Sequence, residues 1–506
     1  MKNINAAQLV PIFVFGISIL LALVVGNGVA DENYTNVALC LAALALIAMV
    51  ALGSRFFILI PICWGLTGQI SVLPLPFSVR QLVIVLASVI FIQGAIFKTN
   101  KGSKANRDAT DIWIWVSIIY IIIVFFMNPV GINALGGDRV GGKPYVDVAL
   151  GLMSYLILRQ QRISGRLATK LPKYVLFASI FSTIAAAIGF FLPQVGDRLS
   201  YFYSDFSSSG TIGVTLDLIS NFSTGTRWIF MQGLGLSLIL YVVSACNPIR
   251  LVDINNIRYG FFYLFGIIAI FTSGFRSAII QALLFTMTSV MARERIMGLF
   301  KLLFMVCFIA TGAIAISYLP IKLPTTFQRT ISFLPGNWDR EAVLDAQDTT
   351  DWRLEMWITI MNSDRYIHNK IFGDGFGYLR ADYERTMDIN AGIVQLSQIE
   401  AHQEAFMIDG DFHNGPLGTV RFVGFVGLAF LLPLMFLTVK MALSLIKASR
   451  GTNYEFSSFF FSIPVITLPL FFFFVIGDYR RDFITLLFSV GMMRMLKNSI
   501  AEPTKM

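Results

Sequence analysis

Long apolar runs dominate this chain and constrain its fold more than any other feature. A membrane-spanning helix needs about 17–25 largely apolar residues, and roughly fourteen runs approach that length. Their approximate spans are 8–26, 35–53, 56–74, 80–97, 111–128, 144–159, 174–192, 228–246, 258–273, 276–292, 298–318, 419–446, 456–476 and 481–496. Charged residues make up only 14% of the chain, against about 25% in a soluble domain. The sequence therefore predicts an all-α polytopic membrane protein with about 14 transmembrane helices.

The charges between these runs alternate from one side to the other. Loops on one side hold 22 of the 39 Lys and Arg residues but only six of the 30 Asp and Glu residues. Because basic residues favour cytoplasmic loops, we expect both termini in the cytoplasm. The net charge of +9 therefore reflects membrane orientation and does not indicate nucleic-acid binding. The first run resembles a signal sequence but is long for a cleaved one, which favours a first membrane helix.

The predicted organisation has three parts. Residues 1–318 hold transmembrane helices 1–11 with short loops, residues 319–418 form one large extracytoplasmic loop, and residues 419–506 hold helices 12–14 and a cytoplasmic tail. In the large loop, the pattern over 351–361 predicts an amphipathic helix with Arg353 and Trp357 on one face. A Gly-rich turn follows at 372–377, and 397–408 predicts a second helix.

Several familiar site patterns are missing from the sequence. The four cysteines lie in or beside apolar runs, which favours buried small side chains over a zinc site or a disulfide framework. There is no nucleotide-binding P-loop, no H-E-x-x-H and no G-x-S-x-G. Asp409 and Asp411 form a D-x-D pair that could hold a divalent cation, but paired carboxylates are common in an acidic loop.

All three histidines, His368, His402 and His413, lie in the large loop. His413 comes just before Pro416, a residue favoured in the first turn of a helix, and so lies at the outer end of a membrane helix. The positive helix end disfavours imidazolium, and a neutral imidazole there suits a general base. The alternative is a polar residue whose partners are backbone groups at the start of the helix.

Five arginines lie at or near the predicted outer membrane boundary, namely Arg198, Arg227, Arg276, Arg353 and Arg421. The guanidinium fork binds phosphate oxygens in pairs, so a cluster of these residues would suit a lipid diphosphate. The alternative for each residue alone is contact with lipid headgroups or pairing with a nearby carboxylate. Arg276 is the least easily explained as a solvated charge, because almost no loop surrounds it.

The segment around His413 resembles the signature of the O-antigen ligase and polymerase superfamily. His413 and Asn414 are followed at the family's spacing by Gly424 and Gly427. Arg353 to Trp357 and the turn at 373–377 are similar to further family elements. Ser273–Ser277 is like its Ser-Arg-Gly element with two residues inserted, and Thr226-Arg227-Trp228 is like its earlier outward arginine without the Pro-Asn that often follows. The resemblance covers roughly residues 220–445.

This resemblance implies a GT-C-like helical fold and a membrane glycosyltransferase of bacterial surface-polysaccharide assembly. The donor would be a glycan on undecaprenyl diphosphate and the acceptor a sugar hydroxyl, at the outer face of the inner membrane. His413 would be the general base, while Arg353, Arg276, Arg227, Arg421 and Asn414 would bind the diphosphate or substrate. Family members work without a metal, so no cofactor is expected.

One division within the family and two other functions stay open. The motifs serve ligases, which move a glycan onto a lipid core, and polymerases, which join repeat units, and they do not separate the two. A polysaccharide transporter or lipid-carrier flippase would need ionisable residues deep in its helices or an inverted repeat, and neither is evident. A catalytically inert glycan-binding scaffold would tolerate loss of His413.

Overall fold

A computed structural model describes most of the chain. The described residues are 52–71, 77–97, 108–129, 141–207, 228–251, 253–319, 323–391, 393–394 and 396–501. The first expected membrane helix, nearly all of the second, and Arg227 lie outside them. So do most of the outward loops at 128–143 and 193–227 and the side chain of His402.

The described residues form sixteen α-helices, one small β-ribbon and four short 3-10 helices, at Gly53–Ile58, Ser204–Phe206, Pro248–Arg250 and Ile254–Asn256. Before the large loop they are α1 (Leu59–Cys63), α2 (Val79–Ile96), α3 (Ala109–Met127), α4 (Lys143–Leu158), α5 (Gly165–Phe191), α6 (Pro193–Ser200), α7 (Met231–Ala245), α8 (Ile257–Ser273) and α9 (Arg276–Ser317). In the large loop they are α10 (Thr325–Ile331), α11 (Arg340–Asn362), α12 (Arg380–Asn390) and α13 (Gln398–Ile408). The last three are α14 (Gly415–Ser449), α15 (Glu455–Phe474) and α16 (Tyr479–Ala501). Strands β1 (Gln69–Ile70) and β2 (Phe77–Ser78) pair antiparallel.

The structure confirms a mostly helical membrane protein, and it corrects the expected spans. Six helices of the described part, namely α3, α5, α8, α9, α14 and α15, are long and apolar enough to cross a membrane. The expected helix at 56–74 ends at Cys63, and β1 follows. The expected break between the helices at 276–292 and 298–318 is present within α9, where Arg295 has the non-helical angles φ 59° and ψ −148°. With 15 residues, α7 is about 22 Å long, shorter than a bilayer core of about 30 Å.

The contacts between loops sort into two ends of the bundle. At one end, Arg494 lies 2.9 Å from Asp108 and 3.5 Å from Asp111, and Asn498 donates to the Arg159 carbonyl. At the other end, three separate hydrogen bonds join Gln69 to Ser204, Asn128 to Asp374 and Phe376 to Tyr145. The first group belongs to loops that the charge pattern places in the cytoplasm and the second group to outward loops. The sides predicted from the loop charges therefore agree with the way the loops group at the two ends of the bundle.

Helix α14 lies at the centre of the bundle and is broken near its start. It packs against α3, α15 and α16, and Gly424 interrupts it with φ 66° and ψ −178°. A break leaves helical carbonyl and N–H groups without partners inside the helix. The Gly-rich turn of the large loop supplies them, since Asp374 N donates to Arg421 O (2.8 Å) and Gly375 N to Phe422 O (3.0 Å).

The same turn accepts hydrogen bonds from the far side of the break. Phe425 N donates to Lys370 O (2.9 Å) and Val426 N to Ile371 O (3.2 Å). The two backbones approach so closely that a Cβ on Gly424 would overlap the carbonyl of Ile371. The four hydrogen bonds join the large loop to α14, and glycine is required at the crossing.

We expect Gly424→Ala to lower the thermal unfolding midpoint of the detergent-solubilised protein by several degrees. The left-handed backbone alone costs an L-residue about 1–2 kcal/mol, and the overlap with Ile371 adds to it. The matched control is Gly233→Ala, since Gly233 lies exposed in α7 with open space where its Cβ would be. An equal midpoint for the two variants would contradict the docking of the turn at Gly424.

Candidate functional site

His413 lies in the short connection between α13 and α14. Its φ of 50° is unusual for a residue other than glycine, and strain of this kind clusters at functional sites. Two contacts hold the connection on either side. The indole Nε1 of Trp357 donates to Phe412 O (2.8 Å), and the Asn414 side chain caps α14 by accepting from Leu417 N (3.0 Å). The prediction that His413 lies at the start of a helix is confirmed.

The imidazole of His413 is oriented by Asp411. Its Nδ1 lies 3.1 Å from the carboxylate Oδ1, and the edge of Phe406 faces the ring with centroids 5.7 Å apart. Because an ionised carboxylate only accepts hydrogen bonds, Nδ1 carries the proton in the neutral ring. Nε2 then keeps its lone pair and is the atom suited to accept a proton. The side chain is 26% exposed, so a substrate has access to it.

The D-x-D pair divides its two carboxylates between different partners. Asp411 binds the His413 ring, whereas Asp409 accepts a hydrogen bond from the hydroxyl of Tyr378. In the part of the chain that the structure describes, no group of three or more His, Cys, Asp and Glu side chains is placed to hold a metal ion. Asp411 therefore serves as the positioning residue for His413.

Three arginines from separate parts of the chain meet near α11. Burial lowers the pKa of Arg353, and the positive charges of Arg276 and Arg329 lower it further. The Arg353 Nε is buried and makes no hydrogen bond among the described residues. Like charges repel, so arginines close enough for their charges to act on one another suit a multivalent anion. We call Arg276, Arg329 and Arg353 the arginine trio.

Local structure explains how the trio assembles. Gly274, with φ 72°, ends α8 and lets α9 begin two residues later, which puts Arg276 at the start of a helix. Its guanidinium donates to Ala346 O on α11 (2.8 Å). Helix α10, which carries Arg329, packs on α8 through the rings of Phe271 and Phe327, whose centroids are 4.3 Å apart. Sequence reasoning found Arg276 and Arg353 but missed Arg329, which no motif marks.

The trio and His413 are linked through α11. Arg353 and Trp357 are separated by about one helical turn, a rise of roughly 6 Å, and Trp357 bonds the carbonyl directly before His413. Met356 and Ile360, on the same helix, belong to a buried cluster with Phe412. Packing of α11 therefore sets the positions of the arginine and of the histidine together.

A cavity of about 370 Å³ lies on the outward end of the bundle, and Asp411 is part of its wall. Four basic side chains line it, namely Arg80, Lys143, Arg480 and Arg481. Sequence reasoning did not single them out. Their positions could have indicated them, because three of these residues lie at the starts of α2, α4 and α16. Arg276 lies in the same way at the start of α9. We call this space the basic cavity.

Arg421 is paired with carboxylates. Its guanidinium is 2% exposed and lies 2.7 Å from Asp374 and 2.8 Å from Asp382. Burial raises the pKa of Asp382, and Arg421 acts in the opposite direction. In this structure the Arg421 guanidinium pairs with two carboxylates and not with the arginine trio, and its predicted role toward the diphosphate stays a prediction. The Asn414 Oδ1, also expected at the substrate, caps α14 instead.

No protein-family model matches the chain, and no curated protein matches its sequence. The likeness to the O-antigen ligase and polymerase superfamily therefore depends on the sequence motifs around His413, Arg353 and Arg276.

We expect inorganic pyrophosphate to stabilise the protein through the arginine trio. Binding to the folded state alone raises the thermal midpoint, by roughly 2–4 °C at saturating ligand, and Arg353→Gln should remove most of that shift. Arg340→Gln is the matched control, because Arg340 lies exposed at the start of the same helix. A full pyrophosphate shift in Arg353→Gln, measured at constant ionic strength, would rule out the trio as the anion site.

Proposed function

We propose that the chain is a membrane glycosyltransferase of bacterial surface-polysaccharide assembly, similar to O-antigen ligases and polymerases. It would transfer a glycan from undecaprenyl diphosphate to a sugar hydroxyl at the outer face of the inner membrane. The observation that carries the proposal is His413, whose ring is oriented by Asp411, a residue in the wall of a cavity of about 370 Å³. The arginine trio, reached through α11, is the second support.

The proposed reaction needs a base and an anion site. A sugar hydroxyl is a poor nucleophile near neutral pH, so His413 Nε2 takes its proton as the acceptor oxygen attacks the anomeric carbon. The bond between that carbon and the diphosphate oxygen breaks, and the diphosphate leaves with the bonding electrons. Arginines stabilise the charge that develops on the leaving group. The imidazolium then returns its proton to solvent.

The arrangement in the membrane belongs to the same proposal. About fourteen spans with a GT-C-like arrangement, both termini in the cytoplasm and the 319–418 loop outside would put His413 and the arginine trio at the outer surface. The sorting of loop contacts into two ends of the bundle supports this orientation. A donor carried on a polyprenyl chain would reach the site from the outer leaflet.

We expect His413→Asn to abolish glycan transfer and leave the fold intact. Asparagine tolerates the left-handed backbone, and losing a general base costs about 10²–10⁴ in rate. The measurement is release of polyprenyl diphosphate by the reconstituted protein from a polyprenyl-diphosphate saccharide and an acceptor glycan. His368→Asn is the matched control, since that histidine of the same loop stands 3.8 Å from Asp374, away from the proposed base.

Unchanged release by His413→Asn would disprove the mechanism. Movement of the intact lipid-linked saccharide across the bilayer without release of polyprenyl diphosphate would favour a flippase.

Asp411→Asn should lower kcat more than it changes KM. An amide in place of the carboxylate no longer requires the proton on Nδ1, so the population with a lone pair on Nε2 falls. Losses of about 10²-fold or more follow when the orienting carboxylate of a histidine is neutralised. Asp409→Asn is the matched control two residues away. Equal losses in both variants, together with inhibition by a chelator, would instead indicate a metal bound by the pair.

A further inference from the structure

The basic cavity forms where three helices begin. Helices α2, α4 and α16 start at Val79, Lys143 and Tyr479, and Arg80, Lys143 and Arg480 line the cavity. Helix N-termini carry partial positive charge from their backbone dipoles. The first turn of α4 has no side-chain cap, so its dipole is not offset there. The helix dipoles and the basic side chains therefore both make the electrostatic potential in the cavity more positive.

The three carboxylates in the wall are already engaged. Asp478 lies 3.1 Å from the Nε of Arg480 and 3.8 Å from Arg481. Asp411 is bonded to His413, and Asp147 accepts from the amide of Gln81. These carboxylates leave one basic side chain in excess.

Arg80 makes its hydrogen bonds to neutral carbonyl groups, and the charge of Asp147 acts on its guanidinium from nearby. Its Nη2 lies 3.3 Å from the carbonyl oxygens of both Trp64 and Leu66, and its guanidinium stacks 4.1 Å over the Trp64 ring. The other packing partner of that ring is Phe488, with centroids 3.7 Å apart. Trp64 therefore fixes the guanidinium of Arg80 at the cavity, where an anionic ligand would be stabilised by a charge-assisted bond.

The cavity is distinct from the arginine trio. Among the described residues its lining includes none of Arg276, Arg329 and Arg353, whereas it does include Asp411. A ligand here would lie beside the His413 base without occupying the anion site of the trio. If the proposed function is correct, the cavity would hold the acceptor, and the donor diphosphate would lie at the arginine trio.

We propose that the basic cavity binds the acceptor glycan through a sugar that carries a carboxylate, such as a uronic acid. The four basic and three acidic side chains of the wall leave a net charge of +1, which one carboxylate neutralises. A phosphate monoester, with about −1.5 to −2 charges, would exceed it. The volume is at the lower end of small-molecule sites, about 300–1,000 Å³, and suits a sugar ring. Gln69 and Gln81 supply amide groups for its hydroxyls.

The test measures binding of glucuronic acid and of glucose to the full-length protein in detergent, by isothermal titration. Wild type should bind glucuronic acid at least about tenfold more tightly than glucose, because the charged contact is worth that factor. Arg80→Gln should remove the difference. Arg481→Gln should weaken glucuronic acid binding about threefold while keeping the fold, because that side chain is 74% exposed. Arg166→Gln, exposed on α5, is the control with unchanged binding.

Equal binding of the two sugars by wild type would overturn the proposal, as would unchanged preference in both cavity variants. So would pyrophosphate binding that is lost in Arg80→Gln and retained in Arg353→Gln, because the cavity would then hold the diphosphate. The outcomes separate this proposal from the transferase. Glucuronic acid binding without glycan transfer would support the cavity site and contradict the proposed transferase. Transfer to neutral and acidic acceptors at equal rates would support the transferase and contradict the cavity site.

Discussion

The docking of the Gly-rich turn onto the broken helix α14 is the constraint on which the site depends. A membrane-embedded helix keeps its backbone groups bonded to one another, because leaving them without partners in an apolar medium costs several kcal/mol each. Here the break at Gly424 is tolerated because the turn at 370–375 satisfies the exposed groups. The buried pairs of Arg421 with Asp374 and Asp382 hold the same junction through side chains.

This junction connects an extramembrane loop to the bundle at a defined point. Removing one partner from a buried ion-pair network leaves an uncompensated charge and is strongly destabilising, so the register between loop and helix is well determined. Helix α11 packs on the start of α14 through Met356, Ile360 and Leu417. Because Trp357 bonds the carbonyl before His413, the strained histidine and the arginine on α11 have set positions relative to the basic cavity.

Some of the site was predictable because its signals are local. The start of a helix after His413, the shared face of Arg353 and Trp357, and the exceptional placement of Arg276 all follow from short-range patterns and charge. Arg421 shows the limit of this reasoning. An arginine near a predicted boundary has the same local sequence whether it contacts lipid, ligand or two carboxylates, and the carboxylates that decide its role lie 47 and 39 positions earlier in the chain.

By itself the sequence indicated an all-helical membrane protein and the position of His413 at the start of a helix, because each depends on composition or on neighbours within one helical turn. Only the tertiary structure decided which charges meet. The arginine trio and the basic cavity arise from helices far apart in sequence, whose ends are brought together by packing. Packing also explains why the expected helix at 56–74 is short. After the helix ends, Trp64 stacks between Arg80 and Phe488 of α16 at the wall of the cavity.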